Sequence, residues 1–191
     1  MFVRKVRLNG QKKQDLKQKS FKKIAITGPE STGKSWLSEQ LANYYKTSWV
    51  QEYAREYLEM NGLKYTIGDL EKIAKGQLER IESATTLTNE VLFCDTEMAV
   101  LKIWSNVVFG NCPLFIEAEF AKQNFDLYLL CYPDIPWEFN PMRENPNNRN
   151  YLFSLYEKEL ISQHFHYKII KGKGNERLQN ALTFVDQIIR K

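Results

Sequence analysis

Gly28-Pro29-Glu30-Ser31-Thr32-Gly33-Lys34-Ser35 has the spacing GxxxxGK[ST] of the Walker A phosphate-binding loop, the P-loop. Two glycines let the backbone curl until successive N–H groups converge on phosphate oxygens, and a helix starting at the end of the loop adds its positive pole. In that arrangement Lys34 is expected to bridge the β- and γ-phosphates of ATP, and the Ser35 hydroxyl to reach Mg²⁺. The eight loop residues and the adjoining Trp36 are the candidate nucleotide contacts.

Two carboxylates follow at telling positions. Asp95 closes the apolar run Val91-Leu92-Phe93-Cys94, and at the carboxyl edge of a parallel strand it would face the phosphates as the acid that organises Mg²⁺. Thr96 and Glu97 come next, so the Asp-Glu pair of many ATP-hydrolysing motors is absent. Glu52 closes a second predicted strand, Ser48-Trp49-Val50-Gln51, where a carboxylate can take the proton of an acceptor hydroxyl as the phosphoryl group arrives. Glu52 and Asp95 are therefore rivals for the role of general base. Tyr53, Arg55 and Tyr57 surround Glu52 with aromatic and cationic groups that could hold a ribose or a flat ring.

A third group of candidates lies in Pro133 to Asn150, which holds four prolines and five asparagines and cannot form a helix throughout. Loops of this length in compact domains are commonly lids or binding loops. Arg143 and Arg149 suit clamps on a transferring phosphoryl group, whose charge spreads over its oxygens. Closure would also exclude water. Trp137 either stacks on a ring or anchors the loop on the core.

The elements that must carry these residues alternate along the chain. Lys22–Thr27 reads as a buried strand feeding the P-loop, and Trp36, Leu37, Leu41, Tyr44 and Tyr45 recur at helical spacing behind it. Asp69 to Asn89 reads as a long helix, Leu127–Cys131 and Tyr167–Ile170 as strands, and Glu176 to Ile189 as a last helix. The pattern predicts an α/β fold of the P-loop NTPase class, nucleoside- and nucleotide-kinase-like: a parallel five-stranded sheet, helices on both faces and a lid loop. Length is that of one domain, placed at 21–191 behind a basic tail, 1–20.

Composition narrows the partners. Seven basic residues against Asp15 put the net charge of +4 in the tail; the remainder has 20 basic and 22 acidic residues and no footprint for nucleic acid. No apolar stretch is long enough to span a membrane and residues 1–20 lack a signal-peptide core, so a cytoplasmic protein is expected, with oligomerisation left open. Cys94, Cys112 and Cys131 are odd in number and read as small buried hydrophobes.

Taken together, GPESTGKS (28–35), EYAREY (52–57), FCDTE (93–97), the Pro136-Trp137 pair and the arginine-bearing loop after it resemble the ribosylnicotinamide kinase domain of the NadR family of bacterial NAD-salvage proteins, in order over residues 22–190. The resemblance implies a P-loop kinase that uses ATP and Mg²⁺ to phosphorylate the 5′-hydroxyl of nicotinamide riboside. Two features depart from the family. Neither the HxGH motif of its nucleotidylyltransferase domain nor its helix-turn-helix is found, so a kinase alone is expected. Gln51 also stands where the family places a tryptophan that stacks on the nicotinamide ring. Alternative acceptors are another nucleoside or a vitamin alcohol such as thiamine. A regulatory P-loop ATPase acting on a macromolecule is the alternative from another class, and no NKxD sequence supports a GTPase.

Overall fold

The computed structural model describes residues 21–86, 88 and 90–190; the basic segment 1–20 lies outside them. Five strands, β1 (Lys22–Thr27), β2 (Trp49–Val50), β3 (Val91–Asp95), β4 (Leu127–Cys131) and β5 (Tyr167–Ile170), form one sheet in the order β2-β3-β1-β4-β5. Every pairing is parallel. The helices are α1 (Lys34–Tyr45), α2 (Tyr53–Asn61), α3 (Ile67–Thr85), α4 (Met98–Phe109), α5 (Leu114–Lys122), α6 (Arg149–Ser162) and α7 (Asn175–Ile189). This is the parallel α/β fold read from the sequence. Among the described residues no helix is long and apolar enough to cross a membrane.

Side chains along a strand alternate between faces, and here each face has its own core. Ile24, Ile26, Phe93, Leu127 and Leu129 meet α1 and α7 through Leu37, Leu41, Ala181 and Val185. Ala25, Tyr128 and Leu130 point the other way, into a core shared with α2 to α6. All five residues of β3 and of β4 are buried. Burying a leucine such as Leu37 contributes about 1.5–3 kcal/mol, so the two-sided sheet is a stiff platform for whatever its strand ends carry.

The position of the site follows from this layering. The helix after β1 lies on one face and the helix after β3 on the other, although the two strands are neighbours with Ile26 opposite Asp95. A crevice opens between their carboxyl ends, at the switch point where ligands of open α/β sheets bind. The P-loop and Asp95 are the residues that flank it.

Some boundaries differ from the sequence reading. The strand expected at 48–51 is only Trp49–Val50, an edge strand pairing with Phe93 and Cys94. The helix expected from Asp69 begins at Ile67, because the Asp69 carboxylate accepts from both the N–H (2.9 Å) and the hydroxyl (2.7 Å) of Thr66. It ends at Thr85, where the Thr85 hydroxyl folds back on Glu82 O. The irregular lid stops at Asn148, and Arg149 is the first residue of α6 rather than part of a loop.

Candidate active site

The P-loop needs its glycines for two separate reasons. A Cβ on Gly28 would lie 2.9 Å from Cys131 O, so only a glycine lets the loop pass this close to β4. Gly33, at φ 76°, turns left-handed into α1. No side chain caps α1, which leaves its first N–H groups for an anionic ligand. Lys34 arches over the loop with Nζ 2.9 Å from Pro29 O, and the Thr32 hydroxyl donates to the same carbonyl at 2.8 Å.

Under the loop, buried Arg177 of α7 fixes it from below. Its guanidinium donates to Thr32 O (2.9 Å), Gly172 O (2.8 Å) and Tyr132 O (3.0 Å) and pairs with Asp134. An arginine can satisfy carbonyls from three segments at once because its five donors form a rigid fork.

A cavity of about 430 Å³ extends from the loop. Pro29 to Trp36, Glu52, Arg55 and Arg143 of the lid line it. Leu58, Tyr65, Val100, Ile103, Trp104 and Tyr156 complete the lining. Trp104 donates through Nε1 to the Tyr65 hydroxyl at 2.9 Å, and that hydroxyl reaches both oxygens of Glu144 on the lid at 3.3–3.4 Å.

Asp95 is 1% exposed, and its Oδ1 has no hydrogen-bonding partner among the described residues. Burial, and then the nearby Glu52 charge, push its carboxyl from 3.8 up to about 7, while Lys34, the Ser35 hydroxyl and Arg55 pull the other way. A buried carboxylate oxygen without a partner, beside a hydroxyl and facing a phosphate loop, fits Mg²⁺, which takes one or two protein oxygens and completes its shell with phosphate and water. Among the described residues no group of three or more His, Cys, Asp or Glu is arranged to hold a metal by itself. The next residue, Thr96, sits at φ 77°, a conformation that costs a β-branched residue about 1–3 kcal/mol and that tends to be kept at functional sites. Glu97 is buried too, but accepts from Thr27 Oγ1 (2.8 Å), Ala99 N (2.7 Å) and Gln123 Nε2 (2.8 Å) and so joins β1 to the start of α4.

The lid lies on the P-loop. Glu30 accepts from Trp137 Nε1 (3.0 Å), Glu144 N (3.0 Å) and Asn145 N (2.8 Å). The Ser31 hydroxyl accepts from Glu138 N (3.0 Å) and Arg143 Nη1 (3.2 Å), and Arg149 Nη1 donates to Ser31 O at 2.9 Å.

Several sequence candidates thus come together in one cavity: the P-loop, Trp36, Glu52, Arg55 and Arg143. Others do not. Tyr53 is turned away from it, its ring against Gly76 and under the Arg80 guanidinium at 4.6 Å, because the first residue of α2 faces α3. Trp137 is a latch on Glu30, edge-on to Phe139, rather than a stacking surface in the cavity. Arg149 reaches the loop backbone but does not line the cavity. Gln51 opens onto a separate groove beside β2 and α3, so a ring-stacking residue there would miss the cavity. Tyr65, Trp104, Tyr156 and Glu144 escaped the sequence reading; Trp104 and Tyr156 sit at helical spacing among core residues, and nothing local separates them from packing.

The sheet order, the loop and the crevice define a P-loop nucleotide-binding fold of the kinase type. Residues 23–177 match the family model described as an AAA domain, AAA_28, and the chain belongs to that family. It is similar to the trifunctional NAD biosynthesis/regulator protein NadR of Salmonella typhimurium, 32% identical over 126 residues that cover 63% of this chain and 30% of the relative. The chain therefore matches less than a third of that relative's length. Two solved NadR structures superpose on it: one in complex with NAD and AMP-PNP (TM-score 0.76, 20% identity, 88% of this chain and 50% of the other) and one in complex with NR (0.72, 19%, 90% and 52%). The thymidylate kinase of Ehrlichia chaffeensis shares the fold over nearly its full length (TM-score 0.64, 11% identity, 87% of this chain and 98% of the other).

Proposed function

We propose that residues 21–191 form an ATP-dependent kinase that transfers the γ-phosphoryl group to the 5′-hydroxyl of nicotinamide riboside. The observation that carries this reading is one cavity lined together by the P-loop, the Glu52 carboxylate and the aromatic residues Tyr65, Trp104 and Tyr156. ATP phosphates would lie on the loop amides with Lys34 between the β- and γ-phosphates, and Ser35 and Asp95 would hold Mg²⁺. When bound, that ion neutralises the charge that develops on the phosphate oxygens.

Glu52 rather than Asp95 is the general base in this account. Glu52 lines the cavity that would take an acceptor hydroxyl, whereas Asp95 is buried and is not part of the lining. Arg143 would meet the transferred group from the lid, and Arg55 would bind the ribose or the phosphoryl oxygens. Arg149 and Trp137 would act through the loop and lid they hold.

The aromatic part of the lining suits the nicotinamide ring. That ring is flat and, in the riboside, positively charged; Tyr65, Trp104 and Tyr156 supply aromatic rings to the lining and Glu144 a carboxylate. The similarity to NadR, solved with NR, supports the same substrate. The test is a panel of ribosides, deoxynucleosides and vitamin alcohols incubated with protein and MgATP, reading ADP release and product mass. Nicotinamide mononucleotide as the dominant product is expected; a different phosphorylated acceptor would move the assignment to that compound.

A further inference from the structure

Gln77 bridges the backbone beside the two carboxylates of the site while hydrogen-bonding to neither carboxylate. It lies on the inner face of α3 with Leu70, Ile73 and Ala74 and is 1% exposed. Its Oε1 accepts the Tyr53 N–H at 2.7 Å, one residue after Glu52. Its Nε2 faces the carbonyls of Thr96 (3.3 Å) and Asp95 (3.5 Å).

The backbone explains why an amide is needed here. The β2–β3 ladder has its last rung at Val50 and Cys94, just before the residues that carry Glu52 and Asp95. Past that rung the two chains part, and each leaves buried backbone groups to be satisfied. A primary amide offers an acceptor to one strand end and two donors to the other, whereas an ionised carboxylate only accepts, an ammonium only donates and a hydroxyl has a single donor for the two carbonyls. The preceding residue contributes as well: a Cβ on Gly76 would lie 2.1 Å from the Tyr53 ring, so Gly76 and Gln77 together seat the ring and the N–H of Tyr53. On the other side, Thr96 is held at φ 77° between Ile26 O, which accepts its N–H at 3.1 Å, and the Gln77 amide on its carbonyl.

We propose that Gln77 is a positioning residue, an artificial rung that sets the separation and aim of Glu52 and Asp95. The inference rests on the kinase reading for its kinetic consequence but not for its geometry. A loosened rung lets the base and the metal-organising acid drift apart, which harms the transfer step more than nucleotide capture by the P-loop.

The experiment compares wild type with Gln77→Glu and Gln77→Leu. Glutamate keeps the acceptor for Tyr53 but sets an acceptor against the carbonyls of Asp95 and Thr96; leucine removes both contacts. In each folded variant kcat for the phosphorylated acceptor is expected to fall by about ten-fold or more, with KM for ATP changed by less than about two-fold. The affinity of the protein–ATP complex for Mn²⁺, followed by electron paramagnetic resonance, is expected to weaken several-fold in both. Should the leucine variant fail to fold, the glutamate variant decides. Wild-type kcat together with wild-type Mn²⁺ affinity in a folded variant overturns the proposal. Absence of transfer by the wild type to every acceptor would sink the kinase reading instead, and the Mn²⁺ affinities would then decide on Gln77: weakened affinity upholds it, unchanged affinity rejects it.

Discussion

The Glu30 carboxylate accepts the Trp137 indole N–H at 3.0 Å, joining the phosphate loop to the lid. The same carboxylate takes the backbone N–H groups of Glu144 and Asn145, so one loop residue holds the lid at two separate places. Hydrogen bonds to a charged group contribute about 1.5–3 kcal/mol each. Glu30→Ala is therefore expected to speed amide exchange at Glu144 and Asn145, to lower kcat/KM by about 10–100-fold and to lower Tm by several degrees. Glu30→Gln, which keeps a single acceptor oxygen, should fall between. Undisturbed exchange in the alanine variant would show that the lid is held by something else.

The two lid arginines should separate kinetically. Arg143 borders the cavity, whereas Arg149 donates to the backbone of Ser31. Arg143→Ala is expected to cost about 10²–10³ in kcat, the range for removing a charge-stabilising donor, and Arg149→Ala distinctly less. Steady-state kinetics on the two variants checks the order.

Asp95 sets a pH dependence. Its carboxyl is raised from 3.8 to about 7 by burial and by Glu52. Below the unfolded value both folded and unfolded chains hold the proton and the group contributes nothing. Between the two values the unfolded chain has released a proton that the folded chain keeps, so folded-state stability falls as pH rises through this window and stays low above it. Asp95→Asn removes the penalty. The nucleotide-free variant should exceed wild type by about 1–3 kcal/mol in urea unfolding at pH about 8, and by little at pH about 4. A gain that does not vary with pH would contradict this origin.

Arg177 links nucleotide binding to stability. It is 1% exposed and serves Thr32, Gly172, Tyr132 and Asp134. Arg177→Ala leaves three carbonyls and Asp134 Oδ1 without their arginine donor and is expected to cost about 3–5 kcal/mol. Arg177→Met, which restores volume but no donors, should recover part of the stability yet still bind ATP weakly, because Thr32 O stays unanchored. Denaturant unfolding and ATP titration distinguish the two effects.

The parts of this molecule that were legible in the sequence are those with short-range causes. β1, β4 and β5 are short stretches rich in apolar residues and bounded by turn residues, and the structure begins and ends them at the residues the sequence suggests. The P-loop was legible because backbone curvature demands glycines at a set spacing. Asp95 and Glu52 were legible as carboxylates at strand ends, although which one meets the acceptor depends on depth, and depth is a tertiary property. Tyr53 and Trp137 were drawn toward the substrate because aromatics beside a site suggest stacking. Their actual neighbours, Gly76 and Glu30, lie 23 and 107 residues away, and no local pattern announces them. Tyr65, Trp104 and Tyr156 were hidden for the converse reason: on an apolar helix or its flank, a cavity aromatic has the same spacing as a core one. Gln77 shows the limit most plainly, since a polar residue on a buried helix face declares that a partner exists without saying which.

A kinase is defined by where the γ-phosphoryl group goes. ATP labelled in that group, mixed with wild-type protein, Mg²⁺ and nicotinamide riboside, should pass the label to the riboside, with little released as inorganic phosphate and with transfer lost in Lys34→Ala and sharply slowed in Glu52→Gln. Label appearing only as inorganic phosphate, at a rate indifferent to the riboside and to every other acceptor tried, would contradict the kinase and leave a nucleotide hydrolase.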